Sequence, residues 1–120
     1  MNAISLKRIK IAMNTTNLIG RLTKKPELYQ TPDKKTYARF TLAINRKKKA
    51  GGAGNEADFI PCVIWGKAAE NLVNWTDKGV LISLEGELRT RSYEKEGQRT
   101  FVMEVWSNFF QVLSKPHQND

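Results

Sequence analysis

Apolar and polar positions alternate along much of this chain with a period of two. Arg39-Phe40-Thr41-Leu42-Ala43-Ile44 places Phe40, Leu42 and Ile44 on one side, the spacing of a strand with one face to a core. Ile82, Leu84 and Leu88 share one side of a second run, with Ser83, Glu85 and Glu87 on the other. Strand-like composition marks Asn17 to Leu22, Ala38 to Ile44, Phe59 to Trp65, Val80 to Leu88 and Thr100 to Trp106. The pattern predicts half-buried antiparallel strands. One stretch departs from it: Ala68, Ala69, Leu72, Val73 and Thr76 recur at three-to-four spacing. Lys67 to Trp75 is therefore predicted to be a helix, closed by Lys78 and Gly79 as a basic last turn and a C-terminal glycine. Three strands, a helix and two strands is the element order of an OB-fold, a five-stranded Greek-key barrel with the helix between strands 3 and 4. Small mixed α+β domains share that order.

The connections carry the charge. The second predicted strand runs into Arg46-Lys47-Lys48-Lys49-Ala50-Gly51-Gly52-Ala53-Gly54-Asn55, a basic, glycine-rich hairpin loop. Tyr93 to Arg99 joins the last two strands through a polar turn containing Gly97. Lys24-Lys25-Pro26 and Thr31 to Lys35 read as turns after the first strand. Met13 offers an alternative start, which makes residues 1–12 an N-terminal extension, residues 13–113 the folded domain and residues 114–120 a short polar tail.

Composition narrows the function. A chain of 120 residues fits one domain, and its apolar runs are too short to span a membrane. Lys7, Arg8 and Lys10 break up the N-terminal stretch, which therefore does not read as a secretory signal. Cys62 is the single cysteine; it reads as a packed small hydrophobe and fits a reducing, cytoplasmic setting. No cysteine or histidine cluster suggests a metal site, and no cofactor is expected. The lone His117 lies in the tail beside no nucleophile, and Gly51-Gly52-Ala53-Gly54 lacks the lysine and strand-to-helix context of a phosphate loop. Glu85 and Glu87 alternate on a strand and read as a solvated face, so no catalytic set assembles and an enzyme is not expected. The net charge of +8 and a pI near 9.8 point instead to a polyanion, nucleic acid ahead of an anionic membrane.

Unpaired nucleic acid needs cations along its phosphates and flat apolar groups against its bases. Phe59 and Trp65 lie an even number of residues apart on one strand, and Arg89, Arg91 and Tyr93 also share strand parity. On spacing alone Phe59 and Trp65 suit core packing as well as stacking. Tyr93, flanked by charge, reads as exposed; Phe40 and Phe101 read as core; Trp75 and Trp106 read as structural or interfacial.

At these residues the chain resembles the bacterial and phage single-stranded DNA-binding protein family. The resemblance is carried by Asn17-Leu18-Ile19-Gly20-Arg21-Leu22-Thr23, Pro26-Glu27-Leu28, Ala38 to Arg46, and Ala57-Asp58-Phe59-Ile60. It continues through Trp65-Gly66-Lys67-Ala68-Ala69-Glu70-Asn71-Leu72 and Lys78-Gly79, and is sharpest in Glu85-Gly86-Glu87-Leu88-Arg89-Thr90-Arg91-Ser92-Tyr93 with Gly97-Gln98-Arg99. The resemblance implies an OB-fold that assembles as a homotetramer, a dimer being the variant. It also implies sequence-independent binding and protection of single-stranded DNA in replication, recombination or repair, in the cytoplasm on the nucleoid. It assigns stacking to Phe59, Trp65 and Tyr93, and phosphate contact to Arg21, Arg46, Lys67, Arg89, Arg91 and Arg99. Lys47, Lys48 and Lys49 stand where the family often has a loop aromatic, so charge replaces stacking there. The chain stops at Lys115 to Asp120, without the acidic tip through which the family recruits replication and repair proteins, and recruitment stays open. A dimeric primosome-type accessory protein, an RNA-binding regulator or chaperone and an interaction-only module are the competing readings.

Overall fold

The computed structural model describes residues 11–47 and 56–115. Among them the chain forms strands β1 (Thr16–Leu22), β2 (Glu27–Gln30), β3 (Thr36–Asn45), β4 (Ala57–Trp65), β5 (Leu81–Lys95) and β6 (Gln98–Ser114), with a helix α1 (Lys67–Trp75) between β4 and β5. Five strands close a ring. β1 pairs with β5, β5 with β6, β6 with β4 and β4 with β3, and β3 returns to β1 through Arg21 opposite Ala43 and Leu22 opposite Leu42. All these pairs are antiparallel except β4 and β6, which run parallel with Cys62 beside Val105 and Val63 beside Trp106. This is the closed OB barrel expected from the element order. The five predicted segments form β1, β3, β4, β5 and β6, all longer than predicted. β2 is an addition: it lies on the outer end of β3, with Tyr29 opposite Tyr37.

Alternation decides which side chains fill the barrel. Leu22, Phe40, Leu42, Cys62, Ile64, Ile82, Leu84 and Val105 point inward from their strands and form one cluster. Ala69 and Leu72 of α1 close one end of it, with Ala68 and Val73 packed at its edge. Each large side chain fully buried here contributes about 1.5–3 kcal/mol. The helix spans the predicted Lys67–Trp75, but Lys78 and Gly79 do not close it. Thr76 ends it, its N–H and hydroxyl both donating to the Leu72 carbonyl. The cation at this C-terminus is Lys25, whose Nζ donates to the Val73 and Thr76 carbonyls at 3.0 and 3.1 Å. Lys78 lies beyond the helix, and Gly79 begins the return to β5, its N–H donating to the Leu22 carbonyl at 2.8 Å.

β5 and β6 run past the barrel as a two-stranded arm. Glu96 and Gly97, both at positive φ (53° and 79°), make its tip, the two-residue turn that matches strand twist. At the root of the arm Gly86 sits in a register shift; a Cβ there would lie 2.3 Å from the Trp106 carbonyl oxygen, so only glycine lets β5 approach β6 so closely. Phe101 corrects an expectation. It shares its face of β6 with Val105, yet it lies on the arm, beyond the last layer of core, and is 76% exposed.

Candidate nucleic-acid interface

The outward positions of the same strands build the site. Tyr29 on β2, Tyr37 on β3 and Trp65 on β4 are direct cross-strand partners, and Trp106 on β6 lies beside Val63 one step away. Their rings form a row across the sheet. Tyr29 and Tyr37 are 5.4 Å apart at 23°, Tyr37 and Trp65 5.1 Å at 35°, and Trp65 and Trp106 5.2 Å at 50°. Tyr29 and Tyr37 are stacked, while the Tyr37–Trp65 and Trp65–Trp106 pairs are tilted, all at centroid distances where aromatic pairs attract. The Arg89 guanidinium ends the row, 5.0 Å from the Trp106 ring centre. Trp65 stands in the middle of this row, and its indole Nε1 is shielded with no hydrogen-bond partner among the described residues.

Beneath the row lies a carboxylate. Glu104 on β6 is 2% exposed and accepts from Trp106 Nε1 at 2.9 Å, Arg91 Nε at 3.2 Å and Arg39 at 3.2 Å. Burial disfavours its charge, but the Trp106 and Arg91 hydrogen bonds and the two guanidinium charges outweigh it, so the carboxyl is held below its ordinary value. Glu104 thereby fixes one indole and two arginines on the outer face. On the core side of the same sheet, burial and the Glu104 charge push the Cys62 thiol up to about 12, which agrees with a packed, inert residue.

The other predicted residues fall into two further groups. Register aligns Phe59 with Ala43 and Arg21 across β4, β3 and β1, so Phe59, 65% exposed, stands with Arg21. That end of β4 is about 20 Å from Trp65 at strand rise. Arg21 Nη1 donates to the Gly79 carbonyl at 2.9 Å and so also ties the turn after α1. Arg46, near the same end, holds Asp58 through contacts of 2.8–3.2 Å and Glu56 at 3.2 Å. This keeps the Asp58 carboxyl below its ordinary range. The third group is the arm. Tyr93 is exposed beside Arg91, whose guanidinium lies 5.9 Å from its ring centre, and Arg99 pairs with Ser92 and Glu94. Arg89 also holds Glu87 at 2.6 Å. Lys67 opens α1, exposed, 3.9 Å from Glu70. Lys47 is exposed, and Lys48 and Lys49 lie outside the described residues.

The structure thus joins Trp65 to Arg89 and Arg91 through Trp106 and Glu104, and leaves Phe59 with Arg21 at the far end of β4. Sequence reasoning missed Tyr29, Tyr37, Arg39, Glu104 and Trp106 as members. A signal existed for two of them: Tyr37 and Arg39 continue the outward parity of Thr41 on β3. Trp106 had none, because its place beside Trp65 depends on the register of the parallel β4–β6 pair.

Comparison with known proteins agrees with this picture. The model of the family described as "Single-strand binding protein family" matches residues 13–113. The chain is 53% identical over 104 residues to single-stranded DNA-binding protein 1 of Streptococcus pyogenes serotype M18, covering 86% of this chain and 80% of that protein. It is 49% identical over 105 residues to single-stranded DNA-binding protein 2 of Streptococcus agalactiae serotype V, covering 88% and 80%. A second Streptococcus pyogenes serotype M18 relative, single-stranded DNA-binding protein 2, is 50% identical over 102 residues, 84% of this chain and 63% of its own length. With its barrel, its outer aromatic row and a family match across most of its length, the chain belongs to the single-strand binding protein family.

Proposed function

We propose that this protein binds single-stranded DNA without sequence readout and protects it during replication, recombination or repair, by binding alone and without catalysis. The observation that carries this reading is the outer-face row of Tyr29, Tyr37, Trp65 and Trp106 edged by Arg39, Arg89 and Arg91. Aromatic groups beside guanidinium groups on one surface are what unpaired bases and their phosphates require, each stacked base contributing about 1–3 kcal/mol. In this reading the strand passes Phe59 with Arg21 and Arg46, crosses the row at Trp65, and leaves along the arm at Tyr93 with Arg91 and Arg99. Lys47, Lys48, Lys49 and Lys67 add phosphate contacts. Several of these arginines already hold carboxylates, so DNA must share or displace Glu87, Glu94, Asp58 and Glu104; a guanidinium has five N–H donors and can serve both. Residues 13–113 act as the binding domain, flanked by an extension and a polar tail.

The protein is further read as a homotetramer. Ile19 on β1 and Phe109 on β6 are apolar, 58% and 47% exposed, and line one shallow cleft with Ser83, a face suited to a second copy. Among the described residues no helix is long and apolar enough to cross a membrane, and the reading places the protein in the cytoplasm on the nucleoid.

The test is tryptophan fluorescence during titration with oligo(dT) at low and high salt, beside duplex DNA and matched RNA. Saturable quenching by oligo(dT) alone, weakening with salt as phosphate contacts release counterions, is the expected result. Equal affinity for RNA would transfer the activity to RNA. No binding to any strand would leave the surface to protein contacts.

A further inference from the structure

One cationic stretch has no part in the row, the arm or the Phe59 end of β4. Residues 1–12 hold Lys7, Arg8 and Lys10 and no Asp or Glu, so they carry three positive charges with none to offset them. Where that stretch joins the fold is fixed. β1 and β5 pair with Thr16 opposite Gly86, and the same register carried two residues further sets Asn14 opposite Leu88. Asn14 holds that position with its side chain. Its Nδ2 donates to the Leu88 carbonyl at 2.8 Å, and its Oδ1 accepts from the Leu88 N–H at 2.8 Å. One amide thus satisfies both backbone groups of an edge residue, as a neighbouring strand would.

This anchor lies at the end of the aromatic row. Leu88 adjoins Arg89, whose guanidinium closes the row over Trp106, and Asn14 lines one open cleft with Trp65, Trp106, Glu87 and Asn108. Glu87, the carboxylate of that cleft, already holds Arg89 at 2.6 Å. Ile11 and Met13, just before the anchor, are 89% and 94% exposed, so no core contact draws the chain back to the barrel. A chain covers at most about 3.3–3.6 Å per residue, which keeps Lys10 within about 14 Å of Asn14 and Lys7 within about 25 Å in any conformation. We propose that Lys7, Arg8 and Lys10 are a further phosphate-binding element of the single-stranded DNA site, delivered to its Trp106–Arg89 end by the Asn14 anchor. A strand leaving the row for the arm passes within their reach. This inference rests on the single-stranded DNA reading.

The experiment measures oligo(dT) affinity over a salt series for the full chain, unaltered, with Lys7→Gln, Arg8→Gln and Lys10→Gln combined, and with Asn14→Ala. Each phosphate contact contributes about 0.7 to the slope of log affinity against log salt on a single strand. The triple variant should therefore show a slope shallower by about 2, and its deficit should shrink about 16-fold between about 50 and 200 mM salt. Asn14 is exposed and outside the core, so its replacement leaves the barrel intact. Asn14→Ala keeps every charge but not the anchor, and its affinity at the lowest salt should fall by about twofold to fivefold. An unchanged slope in the triple variant would overturn the proposal, those cations being occupied by carboxylates of the arm or by solvent. A shallower slope with Asn14→Ala equal to the unaltered protein would overturn the anchored delivery, the charges then acting only through the field of the whole protein. Absence of oligo(dT) binding by the unaltered protein would instead remove the single-stranded DNA reading itself, so the two failures are distinguishable.

Discussion

Val105 and Phe101 lie on one face of β6, four residues apart, yet Val105 is 1% exposed and Phe101 76%. Between them β6 leaves the barrel. At the root of the arm the outward neighbour of Val105 is Glu104, buried under the row and tied to Trp106, Arg39 and Arg91. At the tip the corresponding ties are Arg99 to Ser92 and Glu94, all exposed. In the proposed reading, one β-ladder therefore presents two kinds of binding surface. The root is preorganised, its rings already packed together and its arginines already held, so that in the proposed reading little is left to order on binding. The tip is a pair of strands in water, where ion pairs contribute about 0–1 kcal/mol and side chains are ordered by whatever they meet.

Glu104 tests this contrast with the largest expected effect. Glu104→Ala leaves an indole N–H and two guanidinium groups without their shared acceptor. Both arginines are partly exposed, at 44% and 42%, and can turn to water. The expected loss is therefore about 2–3 kcal/mol, below that of a fully buried charge pair, read by urea denaturation. Arg99→Ala at the tip should change stability by less than about 0.5 kcal/mol. Equal losses would mean that the arm folds as one unit and that root and tip do not differ.

Trp65 and Tyr93 come next. Each substitution to alanine should weaken oligo(dT) binding by about 1–2 kcal/mol, close to tenfold. Only Trp65→Ala should also destabilise the fold, by about 1–2 kcal/mol, since its ring packs against Tyr37 and Trp106 at 5.1 and 5.2 Å. Oligonucleotide titration beside thermal unfolding of each variant separates the two. A Trp65→Ala protein that loses stability but keeps its DNA affinity would make the row purely structural.

Much of the barrel was legible because its inward positions alternate, and alternation is visible wherever one face is buried. The signal fails at its two limits. β2 has no buried position, its four residues all being exposed, so Glu27–Gln30 showed no strand pattern although it brings Tyr29 to the row. Phe101 has the right parity for the core but lies past its end, and parity does not tell where a core stops. The helix end misled for a related reason: Lys78-Gly79 looks like a C-terminal signal, while the cation that caps α1 is Lys25, distant in sequence. Trp65 and Tyr93 were legible as candidates through charge context and family motifs. Glu104, which ties Trp106 to Arg39 and Arg91, was not, because its partners meet only after β3, β4, β5 and β6 are in register.

Acid is a gentler probe of the root. The Glu104 carboxyl is depressed below its ordinary value of about 4.5, so the unfolded chain takes up its proton at a higher pH than the folded one. Its contribution is then fully present above that value and is lost as pH falls through the lower, folded value. The stability difference between the unaltered protein and Glu104→Gln should accordingly be constant from neutral pH down to about 5 and narrow below it. A difference independent of pH throughout would mean that the carboxylate charge contributes nothing and only the shape of the side chain matters.

The smallest effect is expected at Phe101. Register places it opposite Ser92, with Met103 opposite Thr90 and Val105 opposite Leu88. These residues form the face of the arm turned away from Arg89, Arg91 and Tyr93. Phe101→Ser removes a ring that packs on no core, so stability should change by less than about 0.5 kcal/mol. Its affinity for oligo(dT) should match that of the unaltered protein in the same titration, because its face is not the one on which the row continues. If Phe101→Ser instead weakens binding as much as Tyr93→Ala, the strand wraps both faces of the arm. The tip would then be a clamp closing on DNA from two sides, where the root offers one prepared surface.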